Sequence, residues 1–551
     1  MKSAPHDSRD RDILLVTQLA CAVSIFSFMI YLRRADLLLY GDAVAHINIA
    51  RRIFDSKTPG LLQLGTVWLP LPHLLMVPFV ISKTLWRSGI GGSIPSMVAY
   101  VLSVTGVFRL VRGALSFHSP ADAAVRAAAW GAALIYGANP NLLYLQSTAM
   151  TESLYLSFFI WAVVCFLEFA QQESRIQGLP VQSSSPLVKC GLILFAACLT
   201  RYDGWFLAAI MCASAFVLVK RSMRGRSELR RDFGKFFLLA IAAPVLWLAY
   251  NAIVYRNPLE FANGPYSAKA IEQKTATPGN PSHPGDNNLP VAFSFFLKSA
   301  ELNVASASAI QRLWIILIVM GSAMTLVLDL RLWPLLFLWV PLPFYVLSIA
   351  YSGVPIFLPV WWPHSYYNLR YGLQLLPAFA VFIALFAHFA IGMASDKRIK
   401  IAIGVAIVFI IGGSYAFIWH EQPICFREAW INSRDRISLE KGLAETLRKL
   451  PHDSTLLMYV GDHVGALQDA GVSLDRVINE GNHRPWKKPS DPQGLWERAL
   501  ADPRQYADYV IASAGDETTI RVQKADLSPL VVLHAEGEPE TTIYWTHRGE
   551  R

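Results

Sequence analysis

The 551-residue sequence is poor in charge: Asp, Glu, Lys and Arg together make up 16% of it, against about 25% in soluble domains. With 54% hydrophobic residues and a mean hydropathy of +0.36, the deficit is spread along the chain and excludes a soluble enzyme. One very large soluble core is excluded as well, because single cores stop growing near 250–300 residues or so. Cysteine is scarce. Of Cys21, Cys165, Cys190, Cys198, Cys212 and Cys425, the first five lie in apolar runs and none forms a CxxC pair. That argues against a zinc site and a disulfide framework. Fixed-period repeats and matching halves are missing too. So is a small-residue cleavage site behind the polar start MKSAPHDSRDRD, so the following apolar run is read as an uncleaved first span. The net charge of +9 fits Lys and Arg gathered in cytoplasmic loops better than nucleic-acid binding.

What is abundant is apolar runs of membrane-crossing length, about 20 residues each. Eleven are expected, near 13–32, 94–112, 121–140, 150–169, 187–200, 204–220, 235–255, 308–328, 332–351, 372–393 and 399–419. A count of 12 or 13 stays open, because 68–86 is also apolar; its Pro70, Pro72 and Pro78 favour a juxtamembrane or re-entrant helix. With the N-terminus in the cytoplasm, the basic clusters around Arg112, Arg226 and Lys397 fall on one side. The expectation is a mostly α, polytopic helical membrane protein. Residues 1–420 form the membrane domain, with outer loops 33–93, 256–307 and 352–371, and 421–551 form a small extracytoplasmic α/β domain. In that tail LLMYV (456–460), DYVIAS (508–513), LVVLH (530–534) and TIYWT (542–546) read as strands.

Four polar segments interrupt the apolar pattern at outer span ends. YGDAVAHINIARRIFDS (40–56) places Asp42 and His46 one helical turn apart on one face. Asp42 reads as a general base with His46 shaping its surroundings or touching substrate; the plainer reading is a helix N-cap. STAMTESLYLSFF (147–159) puts Glu152 at the end of a span, where an acid costs about 2.5–3.5 kcal/mol near mid-membrane unless it faces a polar cavity. The alternative is a capping box with Thr148. LTRYDGW (199–205) offers Arg201, suited to phosphate, and Asp203, or else a local interfacial pair. WWPHSYYNLRYGLQLLP (361–377) gathers His364, Tyr367 and Arg370 among aromatics that also suit an interfacial belt. Loop 256–307 is Pro/Gly-rich and supplies Lys269 and Lys274 as cations. In the tail, Asp462, His463 and Asp516 form a weaker polar set.

In this order, the acid after span one, the Pro-Leu-Pro segment, T-E-S-L-Y, L-T-R-Y-D-G and N-L-R-Y…L-P resemble the GT-C membrane glycosyltransferases over about residues 30–400. The nearest branch is that of the protein O-mannosyltransferases and the lipid A aminoarabinose transferase. The resemblance implies transfer of a sugar from a polyprenyl-phosphate donor to a glycan, lipid or protein acceptor on the extracytoplasmic face of a bacterial inner membrane. It implies Asp42 as catalytic base and Glu152 as second acid. Arg201 and Arg370 would hold the lipid-linked phosphate, with His46, Asp203, Lys269, His364 and Tyr367 as further substrate contacts. The chain departs from many relatives in having Ala43 after Asp42, and His46 where Tyr is frequent, which leaves a divalent metal and the acceptor geometry open. A single base without a covalent nucleophile implies inversion at the sugar. The rival classes are a transporter, which would carry repeats and broken helices at mid-membrane, and an assembly protein whose outer domain binds a partner.

Overall fold

A computed structural model describes residues 6–116, 122–174, 185–221, 226–275, 282–461, 463–482, 491–522 and 527–548. Among them nine helices are long and apolar enough to cross a membrane: Arg11–Arg33, Ile90–Leu115, Glu152–Glu173, Asp203–Arg221, Ser227–Tyr255, Ser308–Leu328, Leu330–Tyr351, Leu369–Met393 and the start of Lys397–Leu447. Nine of the eleven expected spans are thus recovered. The other two are shorter helices, Ala123–Gly137 and Pro186–Cys198. The first ends where Asn139 turns to extended backbone and caps a separate helix, Pro140–Leu145, by accepting from Leu142 N–H. A proline at a helix start is tolerated, whereas inside a continuous helix it would clash with the preceding turn. The segment 68–86 forms a ten-residue helix, Leu71–Val80, and a short one, Lys83–Arg87, neither of span length.

The chain divides into two compact units. The first comprises Met1–Ala35, Pro95–Trp247 and Ala262–Glu428. Here Glu152–Ser174 packs on Pro186–Cys198, and Leu376–Met393 packs on both Ser308–Leu328 and Ala123–Gly137. Outward-facing Val327 and Phe409 are 83% and 79% exposed, an apolar surface suited to lipid rather than water. One end of the bundle is pinned by Asp12, 2% exposed, which accepts from Arg112 at 2.9 Å and Arg126 at 2.6 Å. Both arginines, counted from sequence as cytoplasmic positive charge, therefore also hold three helices together. The loop expected over 256–307 is largely helical: Glu260–Asn263, Ala268–Thr275 and the sixteen-residue Leu289–Val304. Asn288 caps the last, Pro290 occupies its first turn, and Phe295, Phe296, Ala300 and Leu302 supply a buried stripe that the polar neighbourhood masks in the sequence.

The second unit comprises Asp36–Ile94, Leu248–Phe261 and Ala429–Arg551. The structure thus groups the first outer segment with the tail, where the sequence suggests a cut at 420. The grouping has a physical cause in neutral hydrogen bonds. Asn48 donates to Gln468 at 2.7 Å, Gln468 donates to the Trp86 carbonyl at 2.7 Å, and the Trp86 indole donates to Asn48 at 3.1 Å. Asp55 accepts from Ser473 and from Asp475 N–H. The five-stranded sheet runs β2-β1-β3-β5-β4, with β1 Leu456–Met458, β2 Val477–Ile478, β3 Tyr509–Ser513, β4 Ser528–Leu533 and β5 Thr541–Trp545. Strands β2, β1 and β3 are parallel, and β5 is antiparallel to β3 and β4. Four of these strands are legible in the sequence; β2, two residues long, is not. Residues Val464–Ala470 form a helix ended by Gly471 at φ +69°.

Candidate functional site

Within the first unit, four of the residues singled out from sequence converge on one charged cluster. Glu152 begins helix Glu152–Ser174 and is 1% exposed. Its Oε1 accepts from Arg201 Nη1 and from Arg370 Nε, each at 3.2 Å. The capping-box alternative is set aside by the structure: Thr148 Oγ1 donates to the Leu145 carbonyl, in the preceding turn. Arg201 stands in the turn between Pro186–Cys198 and Asp203–Arg221. That turn is tight because a Cβ on Gly204 would lie 2.7 Å from the Ala197 carbonyl oxygen. Its guanidinium also donates to Thr151 Oγ1 at 3.1 Å, Tyr345 Oη at 2.8 Å and Asp203 Oδ2 at 3.4 Å. Tyr345 in turn donates to Asp203 Oδ2 at 3.0 Å.

Arg370 is set by the 3-10 turn Leu369–Leu375, which follows Asn368 in the left-handed region at φ +58°. Ser299 and Asn303 both donate to the Leu369 carbonyl. Gly372 lets this turn press onto helix Leu289–Val304, since a Cβ there would meet Ala300 N at 2.5 Å. Arg370 Nη1 donates to Glu428 Oε1 at 3.0 Å, and Glu428 Oε2 accepts from Leu369 N–H at 2.7 Å. The Tyr371 ring lies 5.2 Å from the Arg201 guanidinium carbon and 5.1 Å from that of Arg370, within cation–π range.

Three carboxylates thus enclose two guanidiniums, and the formal charge of the cluster is −1. Removing ions from water is costly unless each is paired and bonded, and two acceptors fall short: Glu152 Oε2 and Asp203 Oδ1 are buried without a hydrogen bond. A guanidinium carries five N–H groups, of which Arg201 commits four to Thr151, Glu152, Tyr345 and Asp203. The cluster can offer an incoming oxyanion only those N–H groups that its own carboxylates and hydroxyls do not take up. Sequence reasoning missed Glu428 and Tyr345. Glu428 lies beyond the last expected span, and Tyr345 is one of many tyrosines in an apolar run.

Asp42 and His46 belong to the second unit, on helix Gly41–Arg52. The N-cap is Tyr40, so Asp42 is not the cap; it sits half-buried in the first turn. His46 is 3% exposed, its Nδ1 is 2.9 Å from His73 Nε2, and its ring lies 4.7 Å from that of Trp68. This burial fits a role in shaping the surroundings. Lys269, His364 and Tyr367 are exposed, Tyr367 bridging to Phe357. Asp462 lies outside the described residues, and Asp516 caps helix Glu517–Arg521. Among the described residues, Asp42, His46 and Glu152 join no group of three side chains able to hold one metal ion.

The backbone as a whole superposes on the crystal structure of ArnT from Cupriavidus metallidurans bound to undecaprenyl phosphate, with TM-score 0.54, 13% identity, and coverage of 96% of this chain and 98% of that one. The fold is GT-C. The apo ArnT structure gives the same GT-C match, at TM-score 0.54 and 13% identity, covering 97% and 98%. A weaker likeness joins the chain to AglB, an oligosaccharyltransferase of Archaeoglobus fulgidus in complex with an inhibitory peptide and a dolichol-phosphate (TM-score 0.49, 12% identity, 91% and 69% covered). No protein-family model and no curated protein sequence matches. The GT-C likeness is one of chain path, and it extends through the tail as well as the spans.

Proposed function

We propose that this protein is an integral membrane glycosyltransferase that moves a sugar from a polyprenyl-phosphate donor to an acceptor on the extracytoplasmic face, with inversion. The observation that carries the reading is the whole-length GT-C fold, shared with a structure that holds undecaprenyl phosphate. The buried guanidinium cluster at the ends of the spans supports it.

In the proposed reaction the bond between the anomeric carbon and the phosphate oxygen breaks, and the phosphate leaves with the electron pair. The anomeric carbon bonds the acceptor oxygen or nitrogen from the opposite face, and the acceptor proton passes to the Asp42 carboxylate. Arg201 and Arg370, held beforehand by Glu152, Asp203 and Glu428, meet the charge that develops on the phosphate. Such preorganisation matters because the donors need not reorient as the bond breaks. Asp42, half-buried in the first turn of its helix, is the proposed base.

The test uses the full chain in lipid nanodiscs with polyprenyl-phosphate-linked sugars and membrane extract as acceptor source. Release of polyprenyl phosphate together with an inverted product anomer is expected. A wild-type protein that releases none from any such donor, in membranes from a cell whose surface glycans change when the protein is deleted, would contradict the reading.

A further inference from the structure

Away from the charged cluster, the first unit brings Glu272, His283 and Asp286 together, with one ligand atom from each within 4.8 Å of the others. Glu272 lies on helix Ala268–Thr275, and the other two lie in the turn ahead of helix Leu289–Val304. The turn is anchored on the end of a span: Asn287 N–H donates to the Ala350 carbonyl at 2.9 Å, and Gly285, at φ +95°, packs on Ile349. Room for Glu272 is made by Gly353, where a Cβ would fall 2.6 Å from Glu272 Oε2.

The histidine decides what the group is suited to. His283 is 4% exposed, and its Nδ1 lies 3.1 Å from the Pro284 carbonyl oxygen. A carbonyl only accepts, so Nδ1 carries the proton and Nε2 of the neutral ring is left with its lone pair. That Nε2 is buried, makes no hydrogen bond, and stands 3.1 Å from Glu272 Oε1. A lone pair facing a carboxylate oxygen is repulsive; a cation between them removes the repulsion. Metal-bound histidines characteristically donate their other N–H to a carbonyl, which fixes the tautomer. Asp286 completes the set, with one of its oxygens, Oδ1, accepting from Asn287 Nδ2 at 3.0 Å.

We propose that Glu272, His283 and Asp286 form a binding site for a divalent first-row transition ion such as Zn²⁺, which clasps helix Ala268–Thr275 to the turn 283–288. One imidazole and two carboxylates suit Zn²⁺ or Co²⁺ better than Mg²⁺, which prefers oxygen and water. Bonds of about 2.0–2.2 Å to one ion need the widest ligand pair to close by about 1 Å, and a tetrahedral ion keeps its fourth position for water. Lys269 rides on the clasped helix, so the ion would fix where that cation stands. The site needs neither Asp42 nor the guanidinium cluster, and so it stands apart from the transfer reading.

The test is equilibrium binding of Zn²⁺ to chelator-stripped full-length protein in detergent, with Co²⁺ absorption as a second probe. One equivalent is expected, weakened about 100-fold or more in Asp286→Asn and in His283→Ala. The isosteric Asp286→Asn at a half-buried position covers the case in which His283→Ala fails to fold. Failure of the wild type to bind one equivalent, unchanged binding in folded Asp286→Asn, or equal affinity for Mg²⁺ would each overturn the proposal.

Discussion

In the first unit two guanidiniums are enclosed by three buried carboxylates and two tyrosines, with four N–H groups of Arg201 and two of Arg370 bonded to named partners. In the second, helix Gly41–Arg52 buries a histidine pair and a neutral Asn48–Trp86–Gln468 ring, and leaves its single acid, Asp42, half exposed. Under the proposed function, the difference follows from what each task demands of an ion. Groups that stabilise developing charge must be fixed before the reaction, and buried ion pairs fix them at the cost of desolvation. A general base must reach its proton, which asks for access rather than full burial.

Breaking the first arrangement should have the largest effect on stability. Arg370→Ala takes from the buried Glu428 its guanidinium partner and leaves the buried Glu152 with Arg201 alone, a loss of about 3–5 kcal/mol. The melting temperature in detergent should fall sharply, whereas an unchanged melt would show the pairs to be dispensable. Arg201→Lys keeps the charge but loses the fork that spans Thr151, Glu152, Asp203 and Tyr345. Affinity for polyprenyl phosphate, followed by titration in nanodiscs, should drop about tenfold, or roughly 1.4 kcal/mol; equal affinity would remove Arg201 from phosphate binding. In the second unit, His73→Phe leaves His46 without the partner at 2.9 Å. The expected loss of stability is about 1–3 kcal/mol, read from the same melts.

The smallest effect concerns pH. Burial pushes Glu480 up to about 7, against the opposing pull of the Arg52 cation. Folded Glu480 therefore keeps its proton to higher pH than it does in the unfolded chain. Its contribution is full below the ordinary glutamate range near about 4.3 and is lost as pH rises through about 7. Stability of the second unit should decline across that window, and Glu480→Gln should flatten the slope; an unaltered slope would assign it to other groups.

Much of this was legible in the sequence because the membrane imposes a length. Nine spans and four strands announce themselves by apolar runs and alternation. Glu152, Arg201, Asp203 and Arg370 stand out because a charge at a span end needs a reason. The rest depends on long-range packing. Helix Leu289–Val304 is masked by the Pro/Gly-rich stretch before it. Glu428 meets Arg370 across 58 residues, His73 meets His46 across 27, and Gln468 meets Asn48 across 420. No local pattern encodes those pairings. The short count at Ala123–Gly137 comes from Asn139-Pro140, a breaker inside an apolar run.

The division of labour between the units is tested most directly by single-turnover transfer from a saturating polyprenyl-phosphate-linked sugar in Asp42→Asn. A fall in rate of about 10²–10⁴ is expected, with affinity for the donor and the melting temperature unchanged. Wild-type turnover in Asp42→Asn would contradict the assignment of the base.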